Sequence, residues 1–342
     1  LLPERWTVGY VISLNNLAGT NKALGLLNET LPVIKEALLI CREGYASSPE
    51  RWAEYYAGSL SNLAGTYNKL GRLDEALRLN DEALLIRRVG YASSPKLQAK
   101  GYVASLNNLA GTHNKLGRPD KALPLSTEAL SICREGYASS PERWNREYSG
   151  SLINLAGIYN KLGRLDEALR LNDEALSILR EGYASSPERW AGDYATSLNN
   201  LAMTYDDKGR LDEALRLNDE ALSIRREGYA LSPKCWAKGY VTSLNNLAGI
   251  YSTLGRSDEV LQVNEEALEI CREGYKASPK RWAKGYATSL NNLAGTYNKL
   301  GRPDEALPLH KEVLSICRDG YVASPQRWAG DYATILNNLA AT

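Results

Sequence analysis

The sequence has no phenylalanine, a single methionine and only two histidines among its 342 residues. Tyrosine and tryptophan must therefore supply the aromatic packing. His113 and His310 stand in unrelated positions, and no Gly-rich phosphate loop, zinc-ligand spacing or nucleophile motif accompanies them. Without such a constellation we expect no catalytic residues, no metal site and no cofactor within these residues.

An excess of one charge sign is also missing, since 41 basic residues face 40 acidic ones. Nucleic-acid and acidic-membrane binding normally require a basic patch or stripe, so we expect neither partner. No apolar run approaches the roughly 18 residues of a membrane span. No signal peptide is visible.

A short segment, Asn-Leu-Ala-Gly-Thr in several copies, recurs along the whole chain at a constant step of 46 residues. Self-similarity at a fixed period of this length predicts a solenoid, in which each repeat contacts only its neighbours. We therefore expect one domain over residues 1–342, made of seven full repeats and a partial eighth. Because the chain lacks an initiating methionine and starts and stops inside a repeat, we expect it to be a fragment of a longer protein.

Each repeat is predicted to form a pair of antiparallel helices. In the second repeat, Ser48 is suited to an N-cap and Pro49 to the first helical position, so helix A is expected over about 49–70. Gly71 breaks this helix, and helix B begins at Leu73 with acidic residues that suit the helix dipole. Apolar residues fall at helical spacing in both segments, which predicts an all-α fold.

Two aromatic positions and one glycine position recur beside these helices. Tryptophan occupies its position in every repeat except at Gln98, and the Tyr56 position is tyrosine throughout. We expect both to pack between repeats, because large aromatic side chains bury much surface. Gly90 is either the C-cap of helix B or an interior residue of a helix that runs to about Ala92, and we favour the longer helix.

One pattern within the repeat resembles a known family. Its residues are Leu60, Leu63, Ala64, Tyr67, Gly71, Ala76 and Ala83. They lie at the spacings of the tetratricopeptide repeat, whose usual unit is about 34 residues. The longer helices resemble those of kinesin light chains and of microbial arrays attached to STAND-type ATPases or caspase-like proteases. The resemblance implies a right-handed superhelical solenoid that serves as a scaffold or sensor and binds a protein or peptide in its concave groove.

The same resemblance places helix A residues along the groove. The corresponding positions here are those of Gly58, Ser61, Asn62, Gly65, Asn68 and Lys69. The Asn62 position is asparagine in every repeat, and the preceding position is asparagine in most. The resulting candidates are Asn16, Asn62, Asn108, Asn154, Asn200, Asn246, Asn292 and Asn338, together with Asn107, Asn199, Asn245 and Asn291.

Two interpretations of this asparagine ladder remain open. An amide offers both a donor and an acceptor, so a row of them suits the backbone of an extended peptide. Alternatively, the amides bond to the neighbouring helix and fix the registry of the repeats. The Gly65 position has the same ambiguity, since a mid-helix glycine permits close approach of either a ligand or a packed helix.

Variation near the end of helix A identifies candidates for ligand specificity. They are Asn68, Lys69, Asn114, Lys115, Asn160, Lys161, Asp206 and Asp207. The lysines suit acidic side chains of a partner, although a last-turn lysine is also favoured by the helix dipole alone. Asp206 and Asp207 change the local character from basic to acidic.

Cysteine use bears on the compartment. Four of the five cysteines share one repeat position, whose other occupants are Arg87, Leu179 and Arg225. Such a position is no disulfide framework, and neighbours one repeat apart are too distant for the roughly 4.4–6.8 Å between bridged Cα atoms. We therefore expect free thiols and a reducing, cytoplasmic compartment.

A second hypothesis is structural. The step between repeats is perfect, and Leu336 and Leu339 at the last repeat would lack a covering helix B. Such an end suits self-association with the start of another copy, and a head-to-tail contact that does not close gives a filament.

Overall fold

The computed structural model describes residues 4–323 and 325–341, which form fifteen α-helices and no strand. The all-α prediction is therefore confirmed. Odd-numbered helices are helix A of successive repeats, and even-numbered helices are helix B. They are α1 Glu4–Ala23, α2 Leu27–Ser47, α3 Pro49–Lys69, α4 Leu73–Ser93, α5 Pro95–Lys115, α6 Pro119–Ser139, α7 Pro141–Lys161, α8 Leu165–Ser185, α9 Pro187–Asp207, α10 Leu211–Leu231, α11 Pro233–Thr253, α12 Ser257–Ala277, α13 Pro279–Lys299, α14 Pro303–Ala323 and α15 Pro325–Ala341.

A glycine ends helix A in each described repeat. Gly71 has φ 77°, a left-handed conformation that costs glycine little. The next amide, that of Arg72, donates to the carbonyl of Tyr67 at 2.9 Å. This is the C-terminal Schellman bond, which satisfies a carbonyl that the helix leaves open. The predicted break at Gly71 is thus confirmed.

One residue joins helix B to the next helix A. Ser48 follows α2 and precedes α3, and its amide donates to the carbonyl of Gly44 at 2.8 Å. The predicted position of Ser48 is correct, with Pro49 as the first helical residue. The expected capping role is wrong, because the Ser48 side chain makes no cap hydrogen bond.

Helix B runs past its glycine, as we favoured, and α4 extends to Ser93. The structure shows why this position is glycine. A Cβ atom added there would overlap the ring of the next repeat's tryptophan in each of six pairs. These six pairs, which we call the Gly–Trp seats, are Gly44–Trp52, Gly136–Trp144, Gly182–Trp190, Gly228–Trp236, Gly274–Trp282 and Gly320–Trp328. In the third repeat Gly90 faces Gln98 instead.

The core follows the predicted stripes. Trp52 and Tyr56 are 2% and 3% exposed, which confirms their packing role for this repeat. The described chain divides into two compact units, Leu1–Leu162 with α1–α7 and Gly163–Thr342 with α8–α15. Within each unit, every helix packs against the next along the chain. A single solenoid over the whole chain stays a prediction.

Candidate functional site

The asparagine ladder forms hydrogen bonds between neighbouring repeats. The Nδ2 atom of Asn62 donates to Oδ1 of Asn15 at 2.8 Å. The same bond joins Asn338 to Asn291 at 2.8 Å and Asn292 to Asn245 at 3.4 Å. At these positions the amides make the contact that the registry interpretation requires.

The preceding asparagine position also bonds across repeats, but to buried serines. Three such bonds are present, and in each the asparagine Nδ2 atom donates to the serine Oγ atom. They join Asn15 to Ser59 at 3.1 Å, Asn107 to Ser151 at 3.1 Å and Asn199 to Ser243 at 2.7 Å. Asn199 is itself buried. The Oδ1 atoms of Asn107 and Asn199 are also buried, and neither accepts a hydrogen bond from a described residue.

Other members of the ladder keep their amides open. Asn16, Asn108 and Asn154 are exposed, and Asn200 and Asn246 are half-buried. Their side chains form no hydrogen bond with other residues in the described part of the chain. The ladder therefore contains both bonded and open amides. Ligand binding by either group stays a prediction.

The Gly65 position faces open space. A Cβ atom added at Gly111, Gly157, Gly249 or Gly295 would meet nothing within 4 Å, and at Gly65 only the tip of a lysine. Met203, which occupies this position in the fifth repeat, is 50% exposed. Tight packing of helices therefore does not explain the glycines. We call the surface that carries the ladder and these glycines the groove face.

In the second unit the groove face contains a cavity of about 460 Å³. Predicted ladder residues line it, namely Asn245, Asn291, Asn292 and Asn338. Gly249, Gly295 and Lys299 also line it, and His310 reaches it from helix B. Burial lowers the pKa of His310, so this side chain is a neutral polar group at neutral pH. Several residues that the sequence assigned to the groove therefore lie together around one cavity.

The specificity candidates differ between the two units. In the first unit, Lys69 and Lys161 donate to main-chain carbonyls of the preceding repeat, those of Lys22 at 3.5 Å and Asn114 at 2.7 Å. Burial, with Lys22 and Lys115 nearby, lowers the pKa of Lys69.

The change to acidic specificity at Asp206 and Asp207 stays a prediction. In the second unit, burial and the adjacent Asp207 raise the pKa of Asp206. Asn68 donates to Thr112 at 2.9 Å, while Asn114 and Asn160 are half-buried beside the exposed Lys115 and Lys161.

Sequence reasoning missed a buried polar position on helix B. Asn80, Asn172 and Asn264 donate to Thr112, Thr204 and Thr296 of the following helix A at 2.9, 3.1 and 3.0 Å. Each threonine in turn donates to the main-chain carbonyl of the ladder asparagine one turn earlier. The signal was the recurrence of asparagine within the apolar stripe of helix B.

A second missed feature is a tyrosine relay. The hydroxyl of Tyr102 accepts a hydrogen bond from Nε of Arg88 at 3.1 Å and donates to Oε1 of Glu128 at 2.6 Å. The relay joins α4, α5 and α6. Tyr56, Tyr194 and Tyr240 make the same pair of bonds in their own repeats. The sequence signal was an arginine 14 residues before and a glutamate 26 residues after each tyrosine.

Within the described residues, His, Cys, Asp and Glu side chains form no group of three suited to a metal ion. None of the helices over 4–323 and 325–341 has both the length and the apolar character of a membrane span.

Two family models, both described as tetratricopeptide repeat, match most of the chain. One matches residues 148–227, and the other matches 57–90, 103–140, 241–278 and 287–321. The chain belongs to the tetratricopeptide repeat family. This family forms protein-interaction scaffolds, and its fold is typically non-catalytic. A comparison with curated proteins gives no significant match.

Solved structures share the fold at low sequence identity. BtubC (BKLC) from P. vanneervenii is 22% identical, with a TM-score of 0.56 over 71% of this chain and 90% of that one. The apo form of RapI is 12% identical, with a TM-score of 0.60 over 90% and 97%. A Rap protein complexed with Competence and Sporulation Factor is 14% identical, with a TM-score of 0.54 over 97% and 99%.

Proposed function

We propose that this tetratricopeptide repeat chain is a scaffold or sensor module that binds a peptide or a protein segment along its groove face. It performs no catalysis of its own under this proposal. The observation that carries it is the cavity of about 460 Å³, which is lined by the asparagine ladder and by the open glycines Gly249 and Gly295. A cavity with convergent polar groups is the usual form of a binding site.

The chemistry of the groove face suits a peptide backbone. Asn200 and Asn246 are half-buried ladder residues of the second unit, and each offers an amide that bonds to no other described residue. Backbone N–H and C=O groups complement both, whatever the ligand's side chains are. The Rap protein solved with Competence and Sporulation Factor has this fold, which is compatible with the proposal.

The proposal is tested with peptides selected from a displayed random library against the wild-type chain. The variants Gly249→Met and Gly295→Met each introduce a methionine side chain into the cavity. Methionine is the residue that the fifth repeat carries at the equivalent position, Met203. We expect each to weaken the selected peptides by at least about tenfold, because methionine fills the space the ligand needs. Ser315→Met, on the exposed surface of helix B, is the matched control and retains wild-type affinity.

Equal affinity of the selected peptides for wild type, Gly249→Met and Gly295→Met would contradict binding at this groove. Fluorescence anisotropy measures the affinities, and circular dichroism verifies that each variant is folded.

We further propose that partners are proteins or peptides rather than nucleic acid or membrane. The five free cysteines support the reducing, cytoplasmic compartment that we predict.

A further inference from the structure

Arg225 is a buried cation within the second unit. It extends from α10 and is only 8% exposed. Its Nη2 atom donates to Oγ1 of Thr196 on α9 at 2.8 Å, and a Cβ atom added at Gly239 on α11 would overlap its Nη1. The guanidinium therefore lies directly against the backbone of α11. Thr196 is exposed one turn before the ladder residue Asn200, at the position of Gly58 that the family resemblance assigns to the groove.

The chain contains a sister arginine that has a carboxylate partner within the chain. Arg87 occupies the same repeat position in the first unit, where its Nη1 donates to the carbonyl of Gly101 at 2.7 Å. Its Nη2 lies 3.4 Å from a carboxylate oxygen of Glu54 on the preceding helix. A carboxylate is thus the group that this chain itself uses to neutralise a guanidinium in this environment.

At Arg225 the internal carboxylate is missing. The residue equivalent to Glu54 is Gly192, and no carboxylate of a described residue lies within ion-pair distance of Arg225. Its Nε atom is buried and donates to no described residue, as is also true of Nε of Arg87, so the missing carboxylate is the difference between the two arginines. Burial lowers the pKa of Arg225, and no acidic group opposes this effect as Glu54 does for Arg87. A buried charge without a counter-charge is destabilising unless a ligand supplies one.

Packing does not require a cation at this position. The same position is occupied by neutral side chains in the remaining repeats, namely Cys41, Cys133, Leu179, Cys271 and Cys317, all of them buried. Gly192 occupies the repeat position of Glu54, and a Cβ atom added at Gly192 would meet nothing within 4 Å. Open space therefore lies on the side from which the sister arginine receives its carboxylate.

We propose that Arg225 forms an anion subsite of the groove face and binds a carboxylate of the partner, such as an aspartate or glutamate side chain. This inference rests on the proposed function, since the partner's chain brings the carboxylate to Gly192. A guanidinium with free donors recognises a planar carboxylate through paired hydrogen bonds. The partner would then carry an acidic residue where its backbone passes between α9 and α11.

The test uses potassium acetate as the probe, with potassium chloride at equal ionic strength as the reference. The Nε–Hε resonance of Arg225 is followed by nuclear magnetic resonance and assigned by its loss in Arg225→Leu, which copies Leu179. We expect a saturable shift with acetate in the wild type. Gly192→Glu restores the internal carboxylate and should weaken the acetate response at least about tenfold. Gly192→Ala, which adds helix propensity without a carboxylate, retains the response.

An acetate titration without a saturable shift in the wild type would overturn the subsite, as would an undiminished response in Gly192→Glu. A response to inorganic phosphate but not to acetate would overturn the choice of carboxylate. Acetate needs no peptide, so these outcomes are separate from those of the Gly249→Met and Gly295→Met experiment. Circular dichroism of both Gly192 variants verifies that a lost response is not lost folding.

Discussion

Gly274 and Gly295 lie inside consecutive helices, yet the first is packed against a side chain and the second faces open space. A Cβ atom at Gly274 would overlap the ring of Trp282, whereas one at Gly295 would meet nothing within 4 Å. The first glycine is required by a packed tryptophan. The second weakens its helix and gives no packing in return.

The first prediction follows from this contrast. Gly295→Ala should raise the free energy of unfolding by about 0.5–1 kcal/mol, because alanine favours the helix and has room. Gly274→Ala should lower it by about 1–3 kcal/mol, because the added carbon overpacks the seat of Trp282. Urea unfolding monitored by circular dichroism measures both. Two changes of the same sign would contradict the assignment of the two glycines.

Recurrence in the sequence identified both glycines but did not separate their roles. Whether a glycine lies against a neighbouring helix or in open space depends on how its helix is rotated about its own axis. That rotation is set by tertiary packing. The same holds for Asn62, whose bond to Asn15 was one of two open interpretations. For Arg225, comparison with Arg87 and Gly192 became informative only when the structure showed which residues meet.

The tyrosine relay is a polar connection between helices that recurs along the chain. In the Tyr102 relay, three helices meet at one hydroxyl group. Burial, followed by the hydrogen bond to Glu128, raises the pKa of Tyr102. The folded state therefore keeps the phenolic proton at a pH where the unfolded chain, with a tyrosine pKa of about 10, has lost it.

The second prediction concerns alkaline pH. Stability from a raised pKa is fully present below the unfolded value of about 10 and is lost as the pH rises through the folded value. We expect the free energy of unfolding to fall steadily above about pH 10. Tyr102→Phe should cost about 1 kcal/mol at pH 8 and make the alkaline fall shallower. Urea unfolding at several pH values measures this, and an unchanged slope in the variant would contradict the relay.

At the scale of elements the sequence was most informative about where helices end. Gly71, Pro49 and their equivalents mark the ends through backbone geometry alone, so the predicted and observed limits of helix A differ by one residue. Helix B has no proline after Gly90 until Pro95, and it runs to Ser93 accordingly. The relay remained hidden because its three residues are distant in sequence and meet only across helices.

At the scale of the whole chain, the first described helix has an open apolar face. Trp6 is 68% exposed, whereas its equivalent Trp52 is 2% exposed. Tyr10 is also exposed, although it donates a hydrogen bond to Glu36 at 2.7 Å. Leu336 on α15 is exposed as well, while the side chain of Leu339 lies outside the described residues. These faces are where the head-to-tail hypothesis would place its contact.

The third prediction tests that hypothesis by sedimentation velocity over a wide range of protein concentration. Head-to-tail association requires an average mass that rises with concentration, since each copy buries the exposed face of the next. Trp6→Glu should abolish the rise, and Val322→Glu, on the exposed surface of helix B, should leave it unchanged. A constant monomer mass would contradict the hypothesis and would leave peptide binding untouched.

The Gly–Trp seats have a consequence for the evolution of this chain. Because six joints use the same seat at multiples of the 46-residue step, removal or duplication of whole blocks between two such joints brings together surfaces that already fit. In a globular domain a deletion of that size destroys the core. Here unequal recombination between copies can alter the number of repeats while the remaining Gly–Trp seats keep their glycine and tryptophan. The number of repeats can thus change without loss of the packing at these joints.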